Sequence, residues 1–427
     1  MATFSATVYQ NEFLPDGGTD VNAIVRVGVQ GAGRAGAGSG GPAGEIVIID
    51  SSGSMGRVNM EAAKRAAMVA LDHVADGTYF AVVAGTERAY LAYPMVRTGE
   101  GMVRMTPQTR REAQEAIGWL QADGGTAIGA WLRLALALFD SMGGQVGQKH
   151  AILLTDGEDR DESAAALDAA IRACAGQFQC DCRGVGTDWV VSEVRKVATA
   201  LLGTVDIIPD PSRLSAEFAS LMRASMARGV ADAQLRVWTP QGAQILFVRQ
   251  VSPAVEDLST RGTPIGPLTV GYPTGSWGDE TRDYHVAVRL AAKTVGQEQL
   301  AARVQLFADG EVQTQGLVKA TWSADDALTT RINPEVAHYT GQAELADAIQ
   351  EGLAAKAAGD LGTATTKLGR AVQLAAATGN TEATTRLRKV VDVQDAGSGT
   401  VRLKRSVAKA DEMALDTAST KTTRVRG

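Results

Sequence analysis

The sequence has few of the residues that build disulfide scaffolds, thiolate metal sites and membrane spans. Only three cysteines and four histidines occur among 427 residues, and aromatic residues make up 5%. A small and odd number of cysteines excludes a disulfide framework. No stretch reaches the ~18 uncharged apolar residues of a membrane-spanning helix, so we expect no membrane partner. The first residues lack both a basic and an apolar segment, which argues against a signal peptide and predicts a cytoplasmic location.

Charge and missing catalytic motifs narrow the function further. The formal net charge is −6 and the pI is near 5.4, which argues against nucleic-acid binding. No Walker-type GK[ST] loop is present, and Ser54 is not a GxSxG nucleophile because Ser52 replaces the first glycine. The histidines are scattered, and none pairs with a cysteine or another histidine at metal spacing. We therefore expect that the protein is not an enzyme.

The run from Ile46 to Gly56, IVIIDSSGSMG, is the most informative stretch of the chain. Its short apolar and mostly β-branched beginning, stopped by Ser and Gly, predicts a buried strand of a parallel sheet. Ligand sites in open α/β sheets lie just beyond the carboxyl ends of such strands. Asp50, Ser52 and Ser54 follow at two-residue intervals, so three oxygen-bearing side chains are expected where a site should lie.

These residues resemble the DxSxS motif of von Willebrand factor type A domains, and two later segments resemble the rest of that family's metal site. Thr126 lies in DGGTAIG and Asp156 lies in AILLTDGED. The resemblance implies that Ser52, Ser54 and Thr126 bind a divalent cation directly, Mg²⁺ or alternatively Mn²⁺. It implies that Asp50 and Asp156 act largely through waters or the serine hydroxyls. A partner's Asp or Glu would fill an open position, so the implied function is metal-dependent protein–protein interaction, in intracellular signalling or assembly.

Two patterns near these motifs have structural interpretations. The three cysteines lie between positions 174 and 182 without CxxC spacing, so we expect core packing, with thiol chemistry as the alternative. Asp159, Asp161 and Glu162 follow the third motif and precede a helical pattern. Acidic residues before a helix favour its N-terminus, so we expect these three to cap that helix, with a position on the rim around the metal as the alternative.

Residues 45–228 alternate strand and helix patterns, which predicts an α/β fold with a doubly wound, mostly parallel sheet. The later segments of this range also resemble the closing part of a von Willebrand factor type A domain. Residues 31–44 are almost all Gly, Ala, Ser and Pro, which predicts a flexible linker. This linker contains a GxGxxG pattern, but no helix follows it, so we do not assign a dinucleotide site.

Residues 1–30 and 229–332 have alternating β patterns and turn signals such as Asp309-Gly310. The N-terminal strands alone would make a poor core. We therefore expect both ranges to form one discontinuous antiparallel β-sandwich, into which the α/β domain is inserted.

The C-terminal part is predicted to be helical and then disordered. Residues 335–393 carry Ala-rich helical patterns broken by Gly-Asp and Gly-Asn, and resemble one tetratricopeptide-type helical hairpin. Residues 394–427 have few large apolar residues and several closely spaced threonines near the end. This composition predicts a disordered, Thr-rich and basic tail.

The tail supports an alternative function. The whole chain resembles actinobacterial von Willebrand factor type A proteins whose gene clusters also encode forkhead-associated (FHA) domains and Ser/Thr kinases and phosphatases. That resemblance implies a kinase substrate whose phosphorylated tail threonines recruit an FHA-domain partner. An AAA+ ATPase is a further candidate partner, by the same kind of resemblance.

Overall fold

The computed structural model describes residues 2–36, 41–95 and 101–425. Positions 37–40 of the predicted linker and 426–427 of the predicted tail lie outside the described residues. Backbone contacts divide the chain into two compact units. We call residues 31–232 with 275–278 the α/β unit, and residues 2–30, 233–274 and those from 279 onward the sandwich unit.

The strands and helices of the described residues are numbered in chain order. The strands are β1 (Thr3–Gln10), β2 (Phe13–Leu14), β3 (Asp20–Gln30), β4 (Ala43–Asp50), β5 (Tyr79–Gly85), β6 (Ala89–Tyr93), β7 (Val103–Arg104), β8 (Gln148–Thr155), β9 (Gln179–Val185), β10 (Val205–Ile208), β11 (Val230–Trp238), β12 (Gln244–Ser252), β13 (Glu256–Asp257), β14 (Thr263–Gly266), β15 (Thr269–Trp277), β16 (Glu280–Arg289), β17 (Glu298–Ala308), β18 (Glu311–Trp322), β19 (Val391–Asp395) and β20 (Thr400–Leu403). The helices are α1 (Gly56–His73), α2 (Pro107–Gly118), α3 (Ile128–Ser141), α4 (Ala164–Cys174), α5 (Val191–Ala200), α6 (Leu214–Met226), α7 (Asp326–Thr329), α8 (Pro334–Ala357), α9 (Leu361–Ala377), α10 (Thr381–Val390) and α11 (Lys409–Ala418). None of these helices combines the length and the apolar composition that a membrane span requires.

The α/β unit is built on one mostly parallel sheet, which confirms the predicted fold class. Its strand order is β10-β9-β8-β4-β5-β6, with β7 also paired to β5. The central strands are parallel, whereas β6 and β7 run antiparallel to β5. Every residue of β4 is buried, since helices cover both faces of the sheet. This explains why its residues from Ile46 to Ile49 form a continuous apolar run rather than an alternating pattern.

The three cysteines lie in the core of this unit, as expected. All three are free and buried. The Sγ atoms of Cys180 and Cys182 are 3.9 Å apart on β9, and Cys174 Sγ contacts the carbonyl of Leu132 in α3. Burial raises the pKa of the Cys174 thiol to about 11, which disfavours the reactive thiolate.

The sandwich unit contains two sheets with the strand orders β1-β3-β16-β12-β13 and β14-β15-β11-β17-β18-β2. The pairs β1–β3, β3–β16, β12–β16, β12–β13, β14–β15, β11–β17 and β17–β18 are antiparallel, and the short pair β2–β18 is parallel. Val25 in the middle of β3 pairs with Val8 on one side and with Tyr284 on the other. The N-terminal strands therefore share both sheets with strands from beyond position 230. Gly316 of β18 lies so near Val8 that an added β-carbon would be 2.6 Å from Val8 Cγ2.

Helices α8, α9 and α10 of the sandwich unit share one core, in which Leu345 and Ile349 of α8 pack with residues of α9 and α10, and α8 also contacts a sheet. Helix α8 packs on the five-stranded sheet, where Tyr339 donates its hydroxyl to buried Asp283. Helices α9 and α10 share this core with the β19–β20 hairpin, through residues such as Leu368, Leu387 and Val401.

The prediction of a disordered tail from residue 394 is wrong. The segment continues the β19–β20 hairpin and then forms α11, in which Met413, Leu415 and Thr417 are buried. Beyond α11, Val255 donates its backbone N–H to the carbonyl of Thr420 at 2.7 Å. Low average apolar content suggested disorder, but the few apolar residues of α11 fall on one face and pack into an existing core.

Candidate metal centre

The carboxyl ends of β4 and β8 bring two of the predicted site segments together. The strands are parallel neighbours, and Ile49 pairs with Leu154. Asp50 and Thr155 therefore follow side by side at the same edge of the sheet. The segments that follow β4 and β8 both leave the sheet here. Their side chains and backbone N–H groups are therefore free for contacts other than the hydrogen bonds between strands.

Asp50 is buried and held by groups from both segments. Its Oδ1 accepts the backbone N–H of Ser52 at 2.8 Å, and its Oδ2 accepts the hydroxyl of Thr155 at 2.6 Å. The backbone N–H of Asp156 approaches the same Oδ2 at 3.3 Å. Burial raises the pKa of Asp50, and these hydrogen bonds oppose that effect. Asp50 thus fixes the path of the loop that carries the two serines.

The serine hydroxyls and Asp156 form one hydrogen-bonded chain. Ser54 Oγ donates to Asp156 Oδ1 at 2.8 Å, and Ser52 Oγ lies 2.8 Å from Ser54 Oγ. Either of the two serine hydroxyls can be the donor in this contact. Asn59 in α1 donates to the other carboxylate oxygen, Oδ2, at 2.7 Å. Burial raises the pKa of Asp156, while Asn59 and Ser54 oppose the rise.

Thr126 completes the group from a third segment. A β-carbon added to Gly157 would lie 2.9 Å from Ser54 Oγ, 3.0 Å from Thr126 Oγ1 and 3.7 Å from Asp50 Oδ2. The three oxygens thus surround one point, which a side chain at position 157 would fill. Thr126 is only 5% exposed, yet its hydroxyl has no hydrogen-bond partner among the described residues. A hydroxyl that the surrounding residues leave unpartnered keeps its capacity to bind a ligand.

All five predicted site residues therefore meet at one edge of the sheet. Three hydroxyls and two carboxylates suit a hard cation that prefers oxygen ligands, such as Mg²⁺ or Mn²⁺. Within the described ranges, no group of three or more His, Cys, Asp or Glu side chains is placed to hold a metal ion. Any cation here must accordingly use the hydroxyls, which fits the donor set of the predicted site.

The acidic residues after Asp156 do not cap the following helix, contrary to the prediction. That helix, α4, is capped by Ser163. Asp161 instead accepts the backbone N–H of Thr126 at 2.7 Å, and Glu162 accepts the N–H of Gly129 in the first turn of α3. The helix dipole attracts carboxylates as expected, but it belongs to the preceding helix. Asp161 thereby positions the threonine of the site.

Glu87 is a further residue at this edge that the sequence did not single out. Its Oε2 accepts the backbone N–H of Gly125 at 3.0 Å, next to Thr126. No local motif marks Glu87, because the contact depends on how the β5–β6 turn meets the glycine loop.

A buried charged cluster lies toward the opposite, amino-terminal edge of the same sheet. His150 of β8 is 0% exposed, with Nδ1 2.7 Å from Glu45 Oε2 and Nε2 2.9 Å from Asp181 Oδ2. Burial alone would lower the pKa of His150, but the two carboxylates outweigh it and raise the pKa to about 9. The imidazole is therefore a cation at neutral pH. Arg228 lies 3.5 Å from Asp181 and adds a second positive charge.

Comparisons with known proteins agree with this architecture. The von Willebrand factor type A domain family matches residues 44–207, and the von Willebrand factor type A C-terminal domain family matches residues 373–419. A solved von Willebrand factor type A protein from Catenulispora acidiphila is 48% identical, with 99% of this chain and 97% of that chain covered and a TM-score of 0.93. The chain belongs to the von Willebrand factor type A family.

More distant relatives are similar in fold or in part of the sequence. The ArnB paralog VWA2 of Sulfolobus acidocaldarius has 15% identity and a TM-score of 0.59, with 98% of each chain covered, and is similar in fold. An uncharacterized protein of Synechocystis is 27% identical over 221 residues. That match covers 50% of this chain, and the chain spans about half the length of this curated relative.

Proposed function

We propose that this protein is a metal-dependent protein-interaction module whose cation completes its coordination with a carboxylate from a partner. Domains of this family generally mediate protein–protein interactions and metal-dependent binding. The observation that carries the proposal is the unpartnered hydroxyl of Thr126, which faces the same point as Ser54 Oγ.

The residues divide into two roles under this proposal. Ser52, Ser54 and Thr126 would bind the cation directly, because neutral hydroxyls leave most of its charge available to a partner. Asp50 and Asp156 would orient those hydroxyls and contribute negative charge. The contacts that support this division are the ones that Asp50 makes to the Ser52 backbone and Asp156 makes to Ser54. A cation that keeps an open position would attract an Asp or Glu of the partner.

The proposal includes Mg²⁺ as the cation, with Mn²⁺ as a substitute that uses the same ligands. We also propose that the protein binds its partner without catalysing a reaction. Each of the four histidines has its contacts elsewhere, with Arg223, Glu45, Asn22 or Thr423, so none is placed as a general base at the site. Three free, buried cysteines support the proposed cytoplasmic location, where thiols stay reduced.

The alternative role as a phosphorylated docking tail is disfavoured, because several of the tail threonines are held by contacts. Thr417 is buried, and Thr422 donates its hydroxyl to the carbonyl of Val251 at 2.6 Å. Thr423 accepts the side-chain N–H of Gln342 at 2.8 Å. A kinase would have to detach this segment first. An FHA-domain protein, a Ser/Thr kinase or an AAA+ ATPase fits the proposal only as a partner that offers a carboxylate to the metal.

Titration of the full chain with Mn²⁺, followed by electron paramagnetic resonance, tests the metal site. Ser54→Ala and Thr126→Ala are expected to lower the affinity about 10- to 100-fold. Ser51→Ala is the matched control, since this hydroxyl faces the carbonyl of Ile49 and not the site. Equal Mn²⁺ binding by all variants would contradict the proposal.

Affinity capture from the native host, with Mg²⁺ or with EDTA, tests partner binding. Partners that depend on the site should be lost both with EDTA and with the double variant Asp50→Ala, Ser52→Ala. If the same partners are captured despite EDTA and despite the double variant, the interaction does not use the metal.

A further inference from the structure

One large apolar side chain of the α/β unit is exposed to solvent, a few residues before the glycine loop of the candidate metal centre. Trp119, directly after α2, exposes 81% of its surface, more than any other large apolar side chain among the described residues. Its indole N–H has no hydrogen-bond partner within that part of the chain. Tryptophan is enriched among the residues that dominate binding energy at interfaces. Trp119 therefore marks a surface suited to a partner.

The lining of a groove begins at Leu120, the residue after Trp119, and does not include Trp119 itself. The groove has a volume of about 260 Å³ and lies between the start of α1 and the segment 120–122. Its lining includes Arg57, Met60, Leu120 and Ala122. This volume is below the roughly 300–1,000 Å³ of pockets that hold whole small molecules. The groove has room for a side chain of a partner.

Both walls of the groove continue into the loops of the metal centre. Arg57 follows Ser54 by three residues, so their Cα atoms are at most about 11 Å apart. On the other wall, Ala122 is followed by Asp123, whose backbone N–H donates to the carbonyl of Ser51 at 2.8 Å. A strand advances about 3.3 Å per residue. An extended peptide bound at the metal would thus reach the groove within two or three residues.

The rim of the metal centre differs in charge between the start of α1, which borders the groove, and the glycine loop before α3, and we call these its two sides. On the groove side, Arg57 is exposed and has no ion pair among the described residues, and the charge of Lys64 is neutralised by Glu61 at 3.0 Å. On the other side, the exposed residues Glu87 and Asp161 flank the glycine loop. The groove side favours apolar and acidic groups, whereas the other side favours basic ones.

We propose that the partner segment is an extended peptide with an acidic residue at its centre and with different kinds of side chain on the two sides of that residue. On one side of that residue, two or three positions away, a large apolar side chain enters the groove beside Trp119, with an acidic neighbour near Arg57. On the other side, a basic residue faces Glu87 and Asp161. This inference rests on the proposed function, because the central acidic residue is the one that the metal would bind.

Short synthetic peptides with a central Asp test the inference on the full chain, with Mg²⁺ and fluorescence anisotropy as the readout. One peptide carries Leu and Glu before the Asp and Lys after it. A second has this order reversed, since the direction of the peptide is open. A third has Ser at all flanking positions. One of the first two should bind about tenfold more tightly than the Ser-flanked peptide, and EDTA should abolish binding.

Variants of the groove side should remove this preference selectively. Trp119→Ala is expected to bring the preferred peptide to the level of the Ser-flanked one, whereas Leu361→Ala, another exposed apolar residue, should not. Arg57→Glu should weaken the preferred peptide, and Arg65→Glu, an exposed residue on the same helix, should leave it unchanged.

A charge exchange tests the acidic side. Glu87→Lys should weaken the peptide that carries Lys and strengthen the same peptide with Glu in that place. Glu115→Lys on the exposed surface of α2 is the matched control. Misfolding cannot produce such an exchange, because it would weaken both peptides.

The outcomes separate this inference from the proposed function. Equal Mg²⁺-dependent binding of all peptides would overturn the asymmetric partner while leaving the metal-dependent role intact. If no peptide binds, the asymmetric partner is also overturned. The Mn²⁺ titration of Ser54→Ala then tests the metal site independently.

Discussion

The two edges of the α/β sheet hold charged and polar side chains in opposite ways. At the amino-terminal edge, His150 is enclosed, and each of its ring nitrogens contacts a buried carboxylate. At the carboxyl edge, the hydroxyl of Thr126 has no partner among the described residues and faces Ser54 around one point. The same strands, β4 and β8, contribute to both edges.

This difference means that residues at one end of the strands contribute to stability, whereas residues at the other end contribute to ligand binding. A buried charge whose partners are all present holds the fold together, and removing one partner leaves an uncompensated charge. A polar group whose partner set is incomplete keeps its capacity for a ligand. Substitutions at the first edge should therefore change stability, and those at the second should change metal affinity.

The largest effect is expected for His150→Gln. The substitution leaves Glu45 and Asp181 buried without the imidazolium, so the free energy of unfolding should fall by about 3–5 kcal/mol. Urea unfolding measures it. His73→Gln is the control, because His73 is partly exposed, and its effect should stay within about 0.5 kcal/mol. Equal effects of the two substitutions would contradict the contrast between the edges.

A pH dependence follows from the same cluster. The pKa of His150 is raised to about 9, so its stabilising contribution is complete below the ordinary value near 6.5 and is lost as the pH rises through 9. The free energy of unfolding should fall by about 3 kcal/mol over that range. Urea unfolding at a series of pH values measures the fall, which should be flatter in His150→Gln. A profile with the same slope in both proteins would exclude His150 as its source.

Metal-linked stabilisation tests the other edge. Mg²⁺ at a hundred times its Kd should raise the free energy of unfolding by about 2.7 kcal/mol. Ser54→Ala should abolish this gain without a comparable loss in the metal-free protein, and His150→Gln should keep it. A gain that persists in Ser54→Ala would place the cation elsewhere.

The smallest effect is expected for Asn59→Ala. Asn59 donates to Asp156 Oδ2 and so orients the carboxylate that accepts from Ser54. Its loss should weaken Mn²⁺ binding about tenfold, with Ser51→Ala as the unaffected control. Unchanged Mn²⁺ affinity would show that Ser54 alone is enough to position Asp156.

The site residues were predicted from their resemblance to von Willebrand factor type A motifs, and that was possible because each motif is local in the sequence. The apolar run before Asp50 marks a strand end, and parallel strands place their carboxyl ends at one edge. The cluster of Glu45, His150 and Asp181 has no such signal. Its members lie on three strands, and their contacts depend on strand register, which no local pattern specifies.

Two other outcomes show the limits of composition and of helix signals. The tail from residue 394 has the average composition of a disordered segment, but a few residues such as Leu415 find a core that distant parts of the chain provide. Asp161 has the position of a helix cap, yet the N-terminus that it contacts lies earlier in the chain. Both results depend on tertiary contacts.

The pairing of β3 with β16 has a consequence for synthesis. Val25 pairs with Tyr284, so the entire α/β unit is translated between two strands that must lie side by side. At the usual rate of elongation, the first strands wait on the order of tens of seconds for their partner. A lone hairpin is marginal in water, and its open edge is prone to aggregate. The N-terminal hairpin therefore keeps an open strand edge until β16 has been synthesised.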